Sequence, residues 1–128
     1  MEKFFYRGKI LAIKIKKWSN GSRPITEDSN ALQALSIKYQ SGHLTKPHLH
    51  SPKKRVTRQL QEALVVINGK IRVNLYGSGK KILKYFFLKN GEAAIILSGG
   101  HAVYFLKNTK MLEFKNGPFL NDKKAVGD

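Results

Sequence analysis

The chain reads as all-β, and three observations carry that expectation. Turn-forming residues recur every eight to twelve positions, the stretches between them are short and rich in Ile, Val, Leu, Tyr and Phe, and no long helical periodicity is visible in 128 residues. The clearest succession lies in the second half. Ala63 to Ile67 and Lys70 to Tyr76 flank Asn68-Gly69, a pair that favours the type I′ turn of a tight hairpin. Gly77-Ser78-Gly79 predicts a second hairpin leading into Ile82 to Leu88, and Asn90-Gly91 precedes Ala93 to Leu97. Ser98-Gly99-Gly100 and Lys107-Asn108-Thr109 then separate Ala102 to Leu106 and Met111 to Lys115.

In the first half, Lys9 to Trp18 alternates well enough to read as one long strand, and Ser19 to Asn30 reads as loop. Leu32 to Gln40 opens like a helical turn, but Leu35-Ser36-Ile37-Lys38-Tyr39 alternates and favours a strand. About nine short strands with scarcely any helix close most economically as a sandwich, a jelly roll or a barrel. The length suits one domain, 1–128, with its core at about 32–119 and a polar tail at 120–128 expected to pack loosely or fray.

No apolar run approaches the roughly 20 residues of a membrane helix. Lysines interrupt the N-terminal apolar residues, so no signal peptide is expected and a cytoplasmic protein is. The absence of cysteine removes disulfides and thiolate metal sites and leaves nitrogen and oxygen as donors. Net charge is +16, which attracts polyanions. Yet Arg7, Arg23, Arg55, Arg58 and Arg72 are the only arginines, and the lysines run from Lys3 to Lys124 without collecting in one stretch. Small anionic molecules are therefore the expected partners, and nucleic acid is not.

His48 and His50 alternate in Lys46-Pro47-His48-Leu49-His50, and on a strand both imidazoles would leave the same face. With Glu62, and His101 after Gly99-Gly100, they form a set of nitrogen and oxygen donors suited to a divalent transition metal such as Zn, Ni, Mn or Fe. His43 falls on the opposite face and is not expected to be a ligand. Each residue also has a plain structural reading: a pair of surface histidines on an edge strand, and a solvated carboxylate at a strand entrance.

The run Gly42, His48-Leu49-His50, Glu62, Gly69, Gly91 and Gly99-Gly100-His101 resembles the cupin superfamily over roughly residues 35 to 118. It is similar in particular to small bacterial cupins encoded beside genes for surface-polysaccharide and sugar-nucleotide synthesis. They share the His-x-His pair, an insertion ending in Gln61-Glu62, the Gly-Gly-His, and the ending Glu113-Phe114-Lys115-Asn116-Gly117-Pro118-Phe119. The resemblance implies a double-stranded β-helix, a jelly-roll barrel with His48, His50, Glu62 and His101 around a metal.

Glu113 and Lys115 share one face of their strand, with Leu112 and Phe114 on the other. That pattern describes a charged solvent face, or a proton-moving Glu113 beside an anion-binding Lys115. Arg55 and Arg58 sit where a loop could overhang a pocket mouth. The leading expectation is a metal-dependent cupin that binds, isomerises or epimerises a small polar anionic ligand such as a sugar derivative. The alternatives are a non-catalytic ligand-binding or regulatory module and a polyanion-binding basic surface. Edge strands of such a barrel predict a homodimer.

Overall fold

The computed structural model describes residues 1–127, and among them all regular structure is β. The strands are β1 (Glu2–Tyr6), β2 (Lys9–Ile15), β3 (Gly21–Pro24), β4 (Leu35–Lys38), β5 (Glu62–Asn68), β6 (Lys70–Tyr76), β7 (Ile82–Lys89), β8 (Ala93–Ile96), β9 (Gly100–Phe105) and β10 (Lys110–Lys115). They form three antiparallel sheets: a main sheet in the order β1-β2-β8-β5-β10, a facing sheet in the order β7-β6-β9, and the hairpin β3-β4. No helix among the described residues is long and apolar enough to cross a membrane.

Period-two alternation explains the layers. Leu64 and Val66 of β5, Ala94 and Ile96 of β8, and Ile71, Val73 and Leu75 of β6 turn their side chains into one apolar core between the two larger sheets, joined by Phe86 and Leu88 of β7. The register of β1 on β2 jumps between Phe4↔Ala12 and Phe5↔Ile10, which leaves Leu11 as a bulge. Leu11 and its neighbour Ala12 consequently both enter this core, against the simple alternation of the sequence. The opposite face of the main sheet is covered too. Ile13, Ile15, Ala93, Ile95 and Leu97 pack there beneath Ile25, Leu32 and Ala34, so the β3-β4 region forms a third layer.

Two strands lie outside the sequence expectation: β1, at the N-terminus, and β3, inside the stretch read as loop from Ser19 to Asn30. β3 is four residues, Gly-Ser-Arg-Pro, with no apolar alternation, and pairing with Leu35–Lys38 makes it a strand. The expected hairpin at Asn68-Gly69 is corrected. β5 pairs with β8 and β10, β6 pairs with β7 and β9, and Asn68-Gly69 instead carries the chain from one sheet to the other.

The corner at Asn68-Gly69 is braced from neighbouring connections. Gly69 N–H donates to Asn90 Oδ1 at 2.6 Å, and Lys70 N–H donates to Thr109 Oγ1 at 3.2 Å. Only the hairpin at Gly77-Ser78-Gly79 joins neighbours within one sheet among the connections from β5 to β10. The chain thus passes back and forth between the two larger sheets, and among the described residues the sheets do not close into the expected jelly-roll barrel. Residues 39–61 form no strand, and β10 and β1 are the edges of the main sheet as β9 and β7 are of the facing one. In the tail, Val126 lies against Gly100, and Gly127 lies beside the ring of Tyr76.

Gly69 has φ of 125°, and a Cβ there would come within 2.7 Å of Thr109 Cα and 2.8 Å of Asn108 O. Both neighbours are backbone and cannot step aside cheaply. Gly69→Ala is therefore expected to lower unfolding stability by about 2 kcal/mol or more, combining backbone strain with overpacking. Urea denaturation measures this, and a loss within experimental error would show that the corner is looser than described.

Candidate functional site

The alternation that buries the core also aims three titratable side chains into its open end. Glu62 shares its face of β5 with Leu64 and Val66, both essentially inaccessible, so its carboxylate enters the inter-sheet space and is only 9% exposed. His101 pairs in register with buried Leu75 and shares a face of β9 with Val103, which packs on the core. Glu113 and Lys115 share a face of β10 with Met111, which packs there as well. The pairings Lys115↔Glu62 and Glu113↔Leu64 lay β10 beside β5 and bring the carboxylates together.

Ligand atoms of Glu62, His101 and Glu113 all lie within 4.8 Å of one another, which makes these three residues a candidate metal site. His101 Nε2 is 2.9 Å from Glu62 Oε2, and Lys115 Nζ is 3.5 Å from Glu113 Oε2. The first contact is close without being aligned as a hydrogen bond: Glu62 Oε2 is buried and, among the described residues, has no hydrogen-bond donor. A buried carboxylate oxygen left in this state costs free energy unless a proton or a cation satisfies it. Burial pushes the Glu62 carboxyl above its ordinary value. His101 opposes that rise, the neighbouring Glu113 carboxylate adds to it, and Lys115 again opposes it.

Hydrogen bonds on either side of Glu62 fix it in place. Gln61 is buried; its N–H donates to Asn116 Oδ1 at 2.9 Å, its Oε1 accepts from Leu32 N–H at 3.0 Å, and its Nε2 donates to Leu97 O at 3.2 Å. Asn116 Nδ2 donates in turn to Gln59 O at 3.1 Å and Thr57 Oγ1 at 3.2 Å. The residue after β10 is thus tied to the segment before β5, locking the register that gathers the site. His101 is positioned by Gly99, whose φ is 76° and whose Cβ would stand 2.6 Å from Tyr76 O. Only glycine lets the chain cross so close to β6 immediately before the imidazole.

A cavity of about 430 Å³ opens beside Glu62, with Lys115, Arg58, Phe119, Leu120, Asp122 and Lys123 among its lining residues, while His101 and Glu113 lie outside its lining. It offers three cations and an apolar wall next to the buried carboxylate.

Of the residues expected to ligate metal, the structure brings together Glu62 and His101. His48 and His50 do not join them. Both sit at exposed positions on the strandless segment 39–61, where His48 Nδ1 lies 2.8 Å from Lys46 O and the two rings meet edge to face with centroids 5.1 Å apart. A strand would aim both at one point, and this segment is not a strand. His43 stacks on Tyr39. Glu113, read from sequence as a proton carrier or a solvent-facing charge, stands among the candidate ligands. Leu112 and Phe114, on its opposite face, are half exposed. Arg58 reaches the cavity, whereas Arg55 remains in the exposed segment.

Comparison with models of known protein families, with curated proteins and with solved structures finds no match to this chain. Gln61 and Asn116 are the residues that sequence reasoning undervalues; both belong to motifs visible in the chain, but their role depends on the β5–β10 register.

The raised carboxyl of Glu62 gives a signed pH dependence. A carboxyl whose pKa is higher in the folded state contributes stability below its unfolded value, ordinarily near 4.5, and that contribution is lost as pH rises through the folded value. In chelator-treated protein, Glu62→Gln is expected to melt above wild type at pH 7.5, with the difference shrinking toward pH 4. Melting curves across this range check the sign, and a variant less stable than wild type at pH 7.5 would contradict it.

Proposed function

We propose that this protein is a small cupin-type metalloprotein whose Glu62, His101 and Glu113 hold a divalent transition ion and whose adjoining cavity receives a small polar anionic ligand. The observation that carries this reading is the buried Glu62 Oε2, which lacks an aligned donor yet lies with an imidazole nitrogen and a second carboxylate inside a 4.8 Å cluster. Mixed nitrogen and oxygen donors suit Zn, Ni, Mn or Fe. A bound ion supplies Lewis acidity that polarises a ligand oxygen.

The chain's own residues divide the remaining tasks. Glu62 and His101, the less exposed members, hold the centre. Glu113 is the more exposed carboxylate; the oxygen it does not give to the ion takes up and returns a proton, as an isomerase or epimerase acting beside a carbonyl requires. Lys115, Arg58 and Lys123 meet a ligand carboxylate or phosphate, and Phe119 and Leu120 limit its size.

The cupin reading also assigns His48 and His50 a place. β9 and β10, which carry His101 and Glu113, each form one edge of their sheet. The segment 39–61 has no sheet partner and exposes Leu44, Leu49 and Val56 by 81%, 84% and 72%. Such apolar exposure favours docking, and laying this segment on the free edges would complete a barrel and add both imidazoles to the centre.

Titrating chelator-treated, untagged protein with Mn²⁺, Fe²⁺, Ni²⁺ and Zn²⁺ tests the reading. At least one ion is expected to raise the melting temperature, with about 2.7 kcal/mol of stabilisation at a free concentration 100 times its Kd. Glu62→Gln and His101→Ala are expected to abolish the shift, and His48→Ala and His50→Ala to weaken binding about ten-fold or more. No shift with any of the four ions, or a shift that survives Glu62→Gln, would overturn the metal site. Unchanged affinity in both His48→Ala and His50→Ala would remove the docking of 39–61 and leave the triad alone.

A further inference from the structure

Folding collects what the sequence spreads out. Lys14 and Lys16–Lys17 from the end of β2, Lys70 at the start of β6 and Lys89 at the end of β7 converge on a cleft of about 410 Å³ floored by Phe87. Glu92, the acidic residue of this cleft, accepts the Lys89 backbone N–H at 2.9 Å and is outnumbered by the lysines. The cleft lies at the Lys70 end of β6, whereas the metal triad lies at the Leu75 end, opposite His101.

Continuous with the cleft is the outer face of the β7-β6-β9 sheet, which is aromatic. Arg72 is flanked in register by Phe87 and Tyr104, and Asn74 by Tyr85. Tyr85, Phe87 and Tyr104 are 56%, 39% and 56% exposed, with no layer covering them. The cations lie over the rings: the Arg72 guanidinium is 5.7 Å from the Tyr85 centroid and 5.5 Å from that of Tyr104, and Lys70 Nζ is 5.2 Å from that of Phe87. Arg72 Nε and Asn74 Oδ1 are buried beneath this surface, a donor and an acceptor without a partner among the described residues.

We infer that the Lys14–Lys16–Lys17–Lys70–Lys89 cleft and the Tyr85–Phe87–Tyr104 sheet face form a binding surface for single-stranded nucleic acid. Phosphates track through the lysines, and bases stack on the exposed rings that the Lys70 and Arg72 cations flank. Charge selects this occupant over a second copy of the chain. Two-fold pairing of this face would press Arg72 and Lys70 against their own counterparts on a molecule of net charge +16. A polyanion is attracted by the same features, and flat rings interleaved with cations stack on single strands, whose bases are open, and not on duplex. This surface stands apart from the metal site and does not depend on it.

The test is fluorescence anisotropy with a labelled 12-residue oligo(U), oligo(dT) and a duplex of equal length, each titrated at several salt concentrations. Single strands are expected to bind more tightly than duplex at about 50 mM salt, with affinity falling steeply as salt rises. Tyr85→Ala with Tyr104→Ala should weaken single-strand binding about ten-fold or more without changing the salt slope. Lys16→Ala with Lys17→Ala should reduce the slope by about 0.7 for each phosphate that is no longer neutralised. Circular dichroism and urea unfolding confirm that each variant folds, and Glu62→Gln should bind like wild type. No binding at about 50 mM salt would overturn the inference. So would equal binding of duplex and single strand that ignores the tyrosine variants, which marks bulk charge alone. A dimer broken by those variants with nucleic-acid affinity intact would assign the face to self-association instead.

Discussion

Placing a carboxylate at the end of an apolar space is the constraint around which the rest of the molecule is arranged. Glu62 cannot avoid that position: it occupies the same face of β5 as Leu64 and Val66, which form the middle of the core. Turning it to solvent would require a one-residue slip of β5, which would also expose both apolar neighbours. The register is held instead by Asn116 and Gln61, by the antiparallel pairing with β10, and by the tight crossing at Gly99 that delivers His101. The cost of burying the carboxylate is thereby carried by the packing of the whole sandwich, and its oxygen remains available to a cation or a proton.

Much of the fold is legible in the sequence because alternation and turn chemistry are local. β6 through β10 fall where short apolar runs stand between Gly- and Asn-containing turns. The departures come from tertiary context. Asn68-Gly69 has the composition of a hairpin turn, but a sheet-to-sheet corner needs the same backbone freedom, and only the demand for two covered faces distinguishes them. β3 has no apolar pattern and exists by pairing with β4. Family resemblance predicts barrel closure, and the segment that would provide it, 39–61, is the longest stretch without a strand.

The site is legible in part for the same reason. Glu62 and His101 carry local signals, Gln61-Glu62 at a strand entrance and Gly-Gly before the histidine, and both reach the cluster. Glu113 is harder to place because Leu112 and Phe114 look like the buried face of β10. Met111, at the start of that strand, is the better guide to its inward face. His48 and His50 alternate as strand residues do, yet Pro47 and Pro52 on either side of them limit pairing, and the structure holds them in an exposed segment. The lysines show the opposite relation: dispersed along the chain, five of them meet in one cleft once β2, β6 and β7 are assembled.

The central claim is that Glu62, His101 and Glu113 hold an ion, and anomalous diffraction at the Mn, Fe, Ni and Zn absorption edges from crystals of untagged protein tests it most directly. The account predicts one anomalous peak at about 2.0–2.3 Å from carboxylate oxygens of Glu62 and Glu113 and a ring nitrogen of His101. A fully occupied ion bound elsewhere on the chain, with Glu62 Oε2 hydrogen-bonded to a protein donor, would contradict it.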